Sequence, residues 1–230
     1  MRIKKTLVLC SAAIATILGI TAPGKPANAA LLVESFKSTI SLGGGLTQAD
    51  ALIAGTNLAS SAAGYYDLIN LSDSPNQGLF SGDTLFPNLA AGADDFAVRI
   101  TGFVNILTTG SYTFGINSDD GFRLKVNGNN VLQADGYFPP STFFASPLNL
   151  VAGLNAIEVA YFEGGGGASL EFFTQQANGS LVLVGDTING GLGTTTAAAV
   201  PTPALLPGLI GLGLGVLRKR KQKSSQLNET

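Results

Sequence analysis

The chain has 230 residues, 45% of them hydrophobic, with 13 Lys and Arg, 15 Asp and Glu, one cysteine and no histidine. Without histidine, and with Cys10 as the sole thiol, Ser-His-Asp and Cys-His catalysis and histidine metal ligation are excluded. Charge is unevenly spread. Nine of the basic residues lie at the two ends, so the segment between them holds only Lys37, Arg99, Arg123 and Lys125 against 14 acidic residues, a formal charge of −10. Such a segment repels phosphate backbones and suits cations or uncharged ligands, so no nucleic-acid partner is expected.

Residues 1–29 have the layout of a secretory signal peptide. Arg2, Lys4 and Lys5 precede the apolar run Thr6–Ile20, and Ala27-Asn28-Ala29 forms an A-x-A cleavage site. Cys10 lies inside this segment, so the exported chain carries no thiol. Residues 30–188 read as one β domain. Leu31–Leu42 has the mixed apolar and Ser/Thr character of an edge strand, ended by Gly43, Gly44 and Gly45. A short helix is expected over TQADALIAGTNLA, with Thr47 as its cap and Asp50 in its first turn.

From Ala63 onward the pattern turns to strands. The candidates are Tyr65–Leu71, Phe96–Leu107, Tyr112–Asn117, Phe122–Asn127, Val131–Gln133, Leu148–Val151, Ala156–Phe162, Ala168–Thr174 and Leu181–Val184. Apolar residues alternate at Phe96/Val98/Ile100, Tyr112/Phe114/Ile116, Phe122/Leu124/Val126 and Ile157/Val159/Tyr161, the period of a strand with one face in a core. Asn127-Gly128 is the preferred two-residue hairpin turn. No crossover helix separates the runs, so an all-β sandwich or barrel is predicted. Arg123 and Lys125 share a polar face and read as solvated, and Asp94-Asp95 reads as surface. Residues 189–200, rich in Gly, Thr and Ala, read as a flexible spacer.

Residues 201–223 form the other address. A PTPA motif at Pro201–Ala204 leads into the apolar segment Ala204–Leu217 and then the basic cluster Arg218–Lys221. The segment is short for a permanent span, which needs about 20 apolar residues, but suffices for a transient inner-membrane one, with the basic cluster kept on the cytoplasmic side. This order resembles the PEP-CTERM sorting signal of bacterial surface proteins in its cyanobacterial PTPA variant, with Thr202 where the commoner motif has Glu. The resemblance implies processing by an exosortase-type enzyme and delivery to the cell surface or exterior. A plain C-terminal membrane anchor is the alternative.

The densest signal is GSYTFGINSDDGFRLKVNG over Gly110–Gly128, two alternating runs flanking the adjacent carboxylates Asp119 and Asp120. Gly64-Tyr65-Tyr66-Asp67, this central stretch with the strand before it, and NLVAGLNAIEVAYFEGGGGASLEFF together resemble the PA-fourteen domain, the β-sandwich module named after anthrax protective antigen. The resemblance implies a PA-fourteen-like β-sandwich whose commonest function is carbohydrate binding. It also implies a calcium site, in which two adjacent aspartates joined by a cis peptide chelate Ca²⁺ beside an Asn from a second loop, and the ion takes sugar hydroxyls. Mapped here, the aspartates are Asp119 and Asp120 and the second loop is EGGGG, with no Asn. Glu163 is then the substitute ligand and Gly164–Gly167 supply carbonyls.

From the residues alone, a turn in which Asp119 and Asp120 accept backbone N–H bonds is the competing reading. The loop YFPPSTFF places Tyr137, Phe138, Phe143 and Phe144 where ligand loops gather, Phe138 being the candidate for stacking on a sugar, with burial under the loop as the alternative. Adjacent carboxylates at one turn suit a cation better than flanking a glycosidic bond, so no enzyme is expected. Two functions remain. One is an exported module binding extracellular polysaccharide or surface glycan with calcium, and the other is a structural surface protein binding neither.

Overall fold

The computed structural model describes residues 30–196 except 44, 75 and 76. The expected signal peptide and sorting signal lie outside the described residues. The chain forms two antiparallel sheets around a shared core, as the all-β reading requires. The first sheet has the order β2 (Leu58–Tyr66), β1 (Leu31–Ser38), β4 (Phe96–Ile106), β10 (Gly153–Glu163), β6 (Phe122–Val126), β7 (Asn129–Ala134), and β13 (Gly193–Thr195) also pairs with β4. The second sheet has the order β12 (Leu181–Leu183), β11 (Ser169–Gln175), β5 (Gly110–Asp119), β8 (Ser141–Phe144), with β3 (Asn70–Ser72) on β11 and β9 (Leu148–Leu150) on β5.

The core between the sheets takes the alternating residues expected of it, among them Phe114 and Ile116 from β5, Phe122, Leu124 and Val126 from β6, and Ile157, Val159 and Tyr161 from β10. Burying each such side chain contributes about 1.5–3 kcal/mol. The Asn127-Gly128 turn joins β6 to β7 with φ of 50° and 79°, the left-handed pair that this hairpin needs.

Several expectations are corrected. β1 is not an edge strand, because β2 and β4 flank it on either side. The run Tyr65–Leu71 divides into the end of β2 and β3, which belong to different sheets. β8 forms inside the aromatic loop, and β13 forms within the expected spacer by pairing with β4.

The outer faces are also covered, which the one-sided alternation does not anticipate. Residues 114–118 of β5 are all buried, as are the first six residues of β11. Outside the second sheet, Phe80 and Phe144 pack on Phe173 with ring centroids 5.8 and 5.7 Å apart. A side chain at Gly115 would run into the Phe173 ring.

Outside the first sheet lies α1 (Leu46–Ile53), the one α-helix among the described residues, whose Leu46, Ala49 and Leu52 pack with Phe36, Ala97 and Phe162. Eight residues are too few for a stable isolated helix, so this packing holds it. Thr47 does not cap it. The cap position is Gly45, and the Leu46 N–H donates to Asp135 Oδ1 at 2.8 Å, a partner 89 residues away. Asp50 accepts both guanidinium arms of Arg123, at 2.8 and 3.0 Å, and Lys125 pairs with Glu158 at 2.8 Å. The two cations read as solvated therefore tie the helix and β10 to β6.

Candidate functional site

The two acidic segments meet because of how strands cross between sheets. β5 and β11 pair in one sheet with Asp119 opposite Ser169, while β6 and β10 pair in the other with Phe122 opposite Tyr161. The corner Asp119–Gly121 and the corner 163–168 are thus neighbouring crossings at the same end of the sandwich. Gly121 is confined there, since a side chain would strike the Phe162 ring.

The Asp119–Asp120 peptide is cis. Asp119, Asp120 and Glu163 each offer one carboxylate oxygen within 4.8 Å of the others. Glu163 is fully buried and Asp120 is 3% exposed, whereas Asp119 is half-buried. None of the three ion pairs among the described residues involves them. Burial, followed by the adjacent Asp120 carboxylate, pushes Asp119 up to about 7. Burial, followed by Asp120, pushes Glu163 up to about 8, against the lowering effect of its bond from Gly165.

Backbone N–H groups meet part of this charge. Asp120 Oδ1 accepts from Phe138 and Oδ2 from Gly164, both at 3.1 Å. Glu163 Oε1 accepts from Gly165 at 2.6 Å. The next donors go to carboxylates too, Gly166 to Asp94 at 3.1 Å and Ala168 to Asp73 at 3.0 Å. The N–H groups of Gly164, Gly165 and Gly166 thus all go to carboxylates. Asp94, read as plain surface, holds the loop tip, and Asp95 accepts from Ser41 and Leu42.

The missing amide ligand has a steric reason. Any side chain at Gly164 would run into the Tyr137 ring, which is held by a 2.6 Å bond from its hydroxyl to the Leu42 carbonyl and by an edge contact with Phe162. Of positions 163 and 164, therefore, only 163 can carry a side chain without displacing that ring. Phe138 meets the site through its backbone, and its ring leans on Phe143 at 5.3 Å. Phe143 in turn packs on the core residue Phe122, while Tyr137 and Phe144 stay exposed.

Tyr161 is the participant that sequence reasoning missed. Its period-two position marks it as core, and it is fully buried, yet its hydroxyl donates to the Asp119 carbonyl and lies 3.2 Å from Glu163 Oε2. Burial and Glu163 raise its pKa well above the phenol value, so it stays a proton donor. A Tyr two residues before a strand-ending Glu, on the same face, is the signal that could have found it.

Chemically, three carboxylates with no cationic partner suit a hard cation. Oxygens bound to one Ca²⁺ at about 2.3–2.6 Å lie no more than about 5 Å apart, so the 4.8 Å spread fits one ion. Each hydrogen-bonded oxygen of Asp120 and Glu163 retains a second lone pair.

The family model of the PA14 domain matches residues 55–186. No curated protein matches the sequence. Among solved structures, the PA14 domain of the MpAFP antifreeze protein aligns with TM-score 0.55 and 16% identity over 75% of this chain and 94% of that one. The PA14 sugar-binding domain of an RTX adhesin aligns at 0.50 and 22% identity, over 67% and 93%. The Epithelial Adhesin 9 A domain of Candida glabrata, in complex with Galβ1-3GlcNAc, aligns at 0.53 and 12% identity, over 76% and 94%. These likenesses establish a common fold. With the family model spanning more than half of its length, this chain belongs to the PA14 domain family.

Proposed function

We propose that this is an exported, non-enzymatic surface or matrix protein whose PA14 domain binds extracellular polysaccharide or surface glycan through a calcium ion held by Asp119, Asp120 and Glu163. The observation that carries the reading is the convergence of three carboxylate oxygens within 4.8 Å, two of their residues buried, with no Lys or Arg paired to them. A bound cation offsets repulsion that N–H groups answer only in part, and its remaining positions suit the hydroxyls of a sugar. The sugar-binding RTX adhesin domain and the glycan-bound Candida adhesin support a glycan as the partner class.

Export rests on the two ends. β1 begins at Leu31, directly after the expected mature start at Ala30, so removal of residues 1–29 leaves the domain whole. The segment 201–223 would deliver it to the surface, with transient membrane insertion through 204–217 and cleavage by an exosortase-type enzyme. Mass spectrometry of the mature protein tests both ends, an N-terminus other than Ala30 and an intact C-terminal tail counting against them.

A second reading has its own support. Asp120 accepts two backbone N–H bonds, as a purely structural corner would. Calcium titration separates the two. Calcium binding accompanied by a glycan-array signal that a chelator removes supports the first reading. Absence of both leaves a structural surface protein.

A further inference from the structure

We infer that the domain has a second binding site, for a neutral oligosaccharide and independent of metal, at the end of the sandwich opposite the acidic corner. A cavity of about 480 Å³ opens there between the β4–β5 turn, the end of β11 and the segment 187–193. Its volume lies in the range of small-ligand pockets, about 300–1,000 Å³. The acidic corner lies at Asp119 and the cavity at Ser111, eight residues back along β5, so the two are about 27 Å apart.

The lining is chemically distinctive for so acidic a domain, because no charged side chain contributes to it. Asn105, Thr108, Ser111 and Gln175 line it with side chains that find no hydrogen-bond partner among the described residues. Gln176 Nε2 makes two long bonds, 3.3 Å to Thr174 and 3.4 Å to the Gly190 carbonyl, and its Oε1 is free. Tyr112 adds an aromatic ring, fixed by a 2.6 Å bond from its hydroxyl to the Thr108 carbonyl. Neutral amides and hydroxyls with open valences beside an aromatic ring match a ligand carrying many hydroxyls, apolar C–H faces and no charge. A phosphate or carboxylate ligand would find no cation, and an ammonium ligand no anion.

The wall is preformed. Gly185 N–H donates to the Leu192 carbonyl and Gly191 N–H to the Asp186 carbonyl, both at 2.7 Å, and Asp186 caps the 3₁₀ turn Thr187–Asn189 by accepting from the Asn189 N–H. A side chain at Gly191 would collide with the Leu183 carbonyl, which keeps this wall close to the sheet. A rigid wall lowers the ordering cost of binding.

The test is amide chemical-shift mapping of the isotope-labelled protein with laminarihexaose and cellohexaose, each in saturating calcium without EDTA and in EDTA without calcium. The expected result is saturable shifts at Ser111, Gln176 and Gly191 with one of these sugars, unchanged by EDTA and by Asp119→Asn. Gln176→Ala and the charge-introducing Gln175→Glu should each weaken binding about tenfold, the cost of one lost or mismatched polar contact. Gln175 is exposed and Gln176 half-buried, and an unchanged spectrum elsewhere verifies folding. No shift at these amides with either sugar would overturn the inference. So would shifts that EDTA removes, or shifts produced by a neutral peptide but by neither sugar. Failure here leaves the calcium site untouched, since that site is read in the EDTA-free arm at Asp119 and Gly164.

Discussion

Glu171 and Glu163 are both fully buried glutamates, one on β11 and one ending β10, yet the regions around them are built to opposite ends. Glu171 is enclosed by the loop before Phe80, whose Leu79 and Phe80 N–H groups donate to it at 2.8–2.9 Å. A side chain at Gly78 would collide with that carboxylate, so the loop closes directly over it. Burial raises Glu171, the two donors pull it back, and the Asp83 carboxylate adds a smaller upward push. Glu163 has one backbone donor and a tyrosine hydroxyl, and faces Asp119 and Asp120. Buried charge alone is therefore a poor marker of function. What separates these two corners is how far the backbone completes the shell and how closely other carboxylates crowd it.

The largest expected effect lies on the structural side. Glu171→Ala leaves two loop N–H groups without their acceptor and should cost about 3 kcal/mol in urea unfolding, while Glu171→Gln, which keeps one acceptor oxygen, should cost about half that. Calcium should not alter either difference. If Glu171→Ala is neutral, the contrast with Glu163 collapses.

On the binding side, calcium at about a hundred times its Kd should stabilise the protein by about 2.7 kcal/mol, read as a rise in melting temperature. Asp119→Asn should abolish that rise. In metal-free buffer the same substitution should leave stability unchanged or increased, because it removes a carboxylate that the other two repel. A loss of stability there would place Asp119 with the structural acids.

The pH dependence sharpens the same point. Asp119 and Glu163 are raised from ordinary values of 3.8 and 4.5 to about 7 and about 8. The folded state thus holds these protons more tightly than the unfolded chain, and the stability gained by protonating them is complete below about pH 4 and lost as pH rises through 7 to 8. Metal-free protein should therefore show a falling contribution from this corner between those limits, isolated by comparison with Glu163→Gln. Saturating calcium should flatten it.

The smallest effect is expected for Asp50→Ala. Its partner Arg123 lies on the outer face of the first sheet, and Asp50 is half exposed, so the change should cost no more than about 1 kcal/mol and fade with salt.

Much of the fold was legible because alternation is a local property. Phe122, Leu124 and Val126 face the core as their spacing demands, and Asn127-Gly128 turns the hairpin as its chemistry demands. β1 was misread because its Ser and Lys content resembles an edge, while its two neighbours arrive from residues 58–66 and 96–101. α1 was found but its cap was not, since Asp135 comes from the end of β7. At the site, the convergence of Asp119, Asp120 and Glu163 was legible from the motif and loop order. Tyr161 was hidden by the same periodicity that identified its strand. The hydrogen bonds from the EGGGG run to three carboxylates were not legible, because composition does not reveal where a glycine's N–H points.

By itself, then, the sequence determined the all-β class, most strand positions, the acidic pair and the strongly negative middle segment, all properties set by side-chain type and short spacing. Only the tertiary structure decided that two sheet crossings bring Glu163 to Asp119 and Asp120, and that the Tyr137 ring bars any side chain at Gly164. It also decided that two backbone N–H groups meet Glu171 while Glu163 has one and faces two aspartates, and that neutral side chains from three distant segments enclose a cavity at the far end. These are contacts between residues tens of positions apart, and strand order and register, which no local pattern encodes, select them.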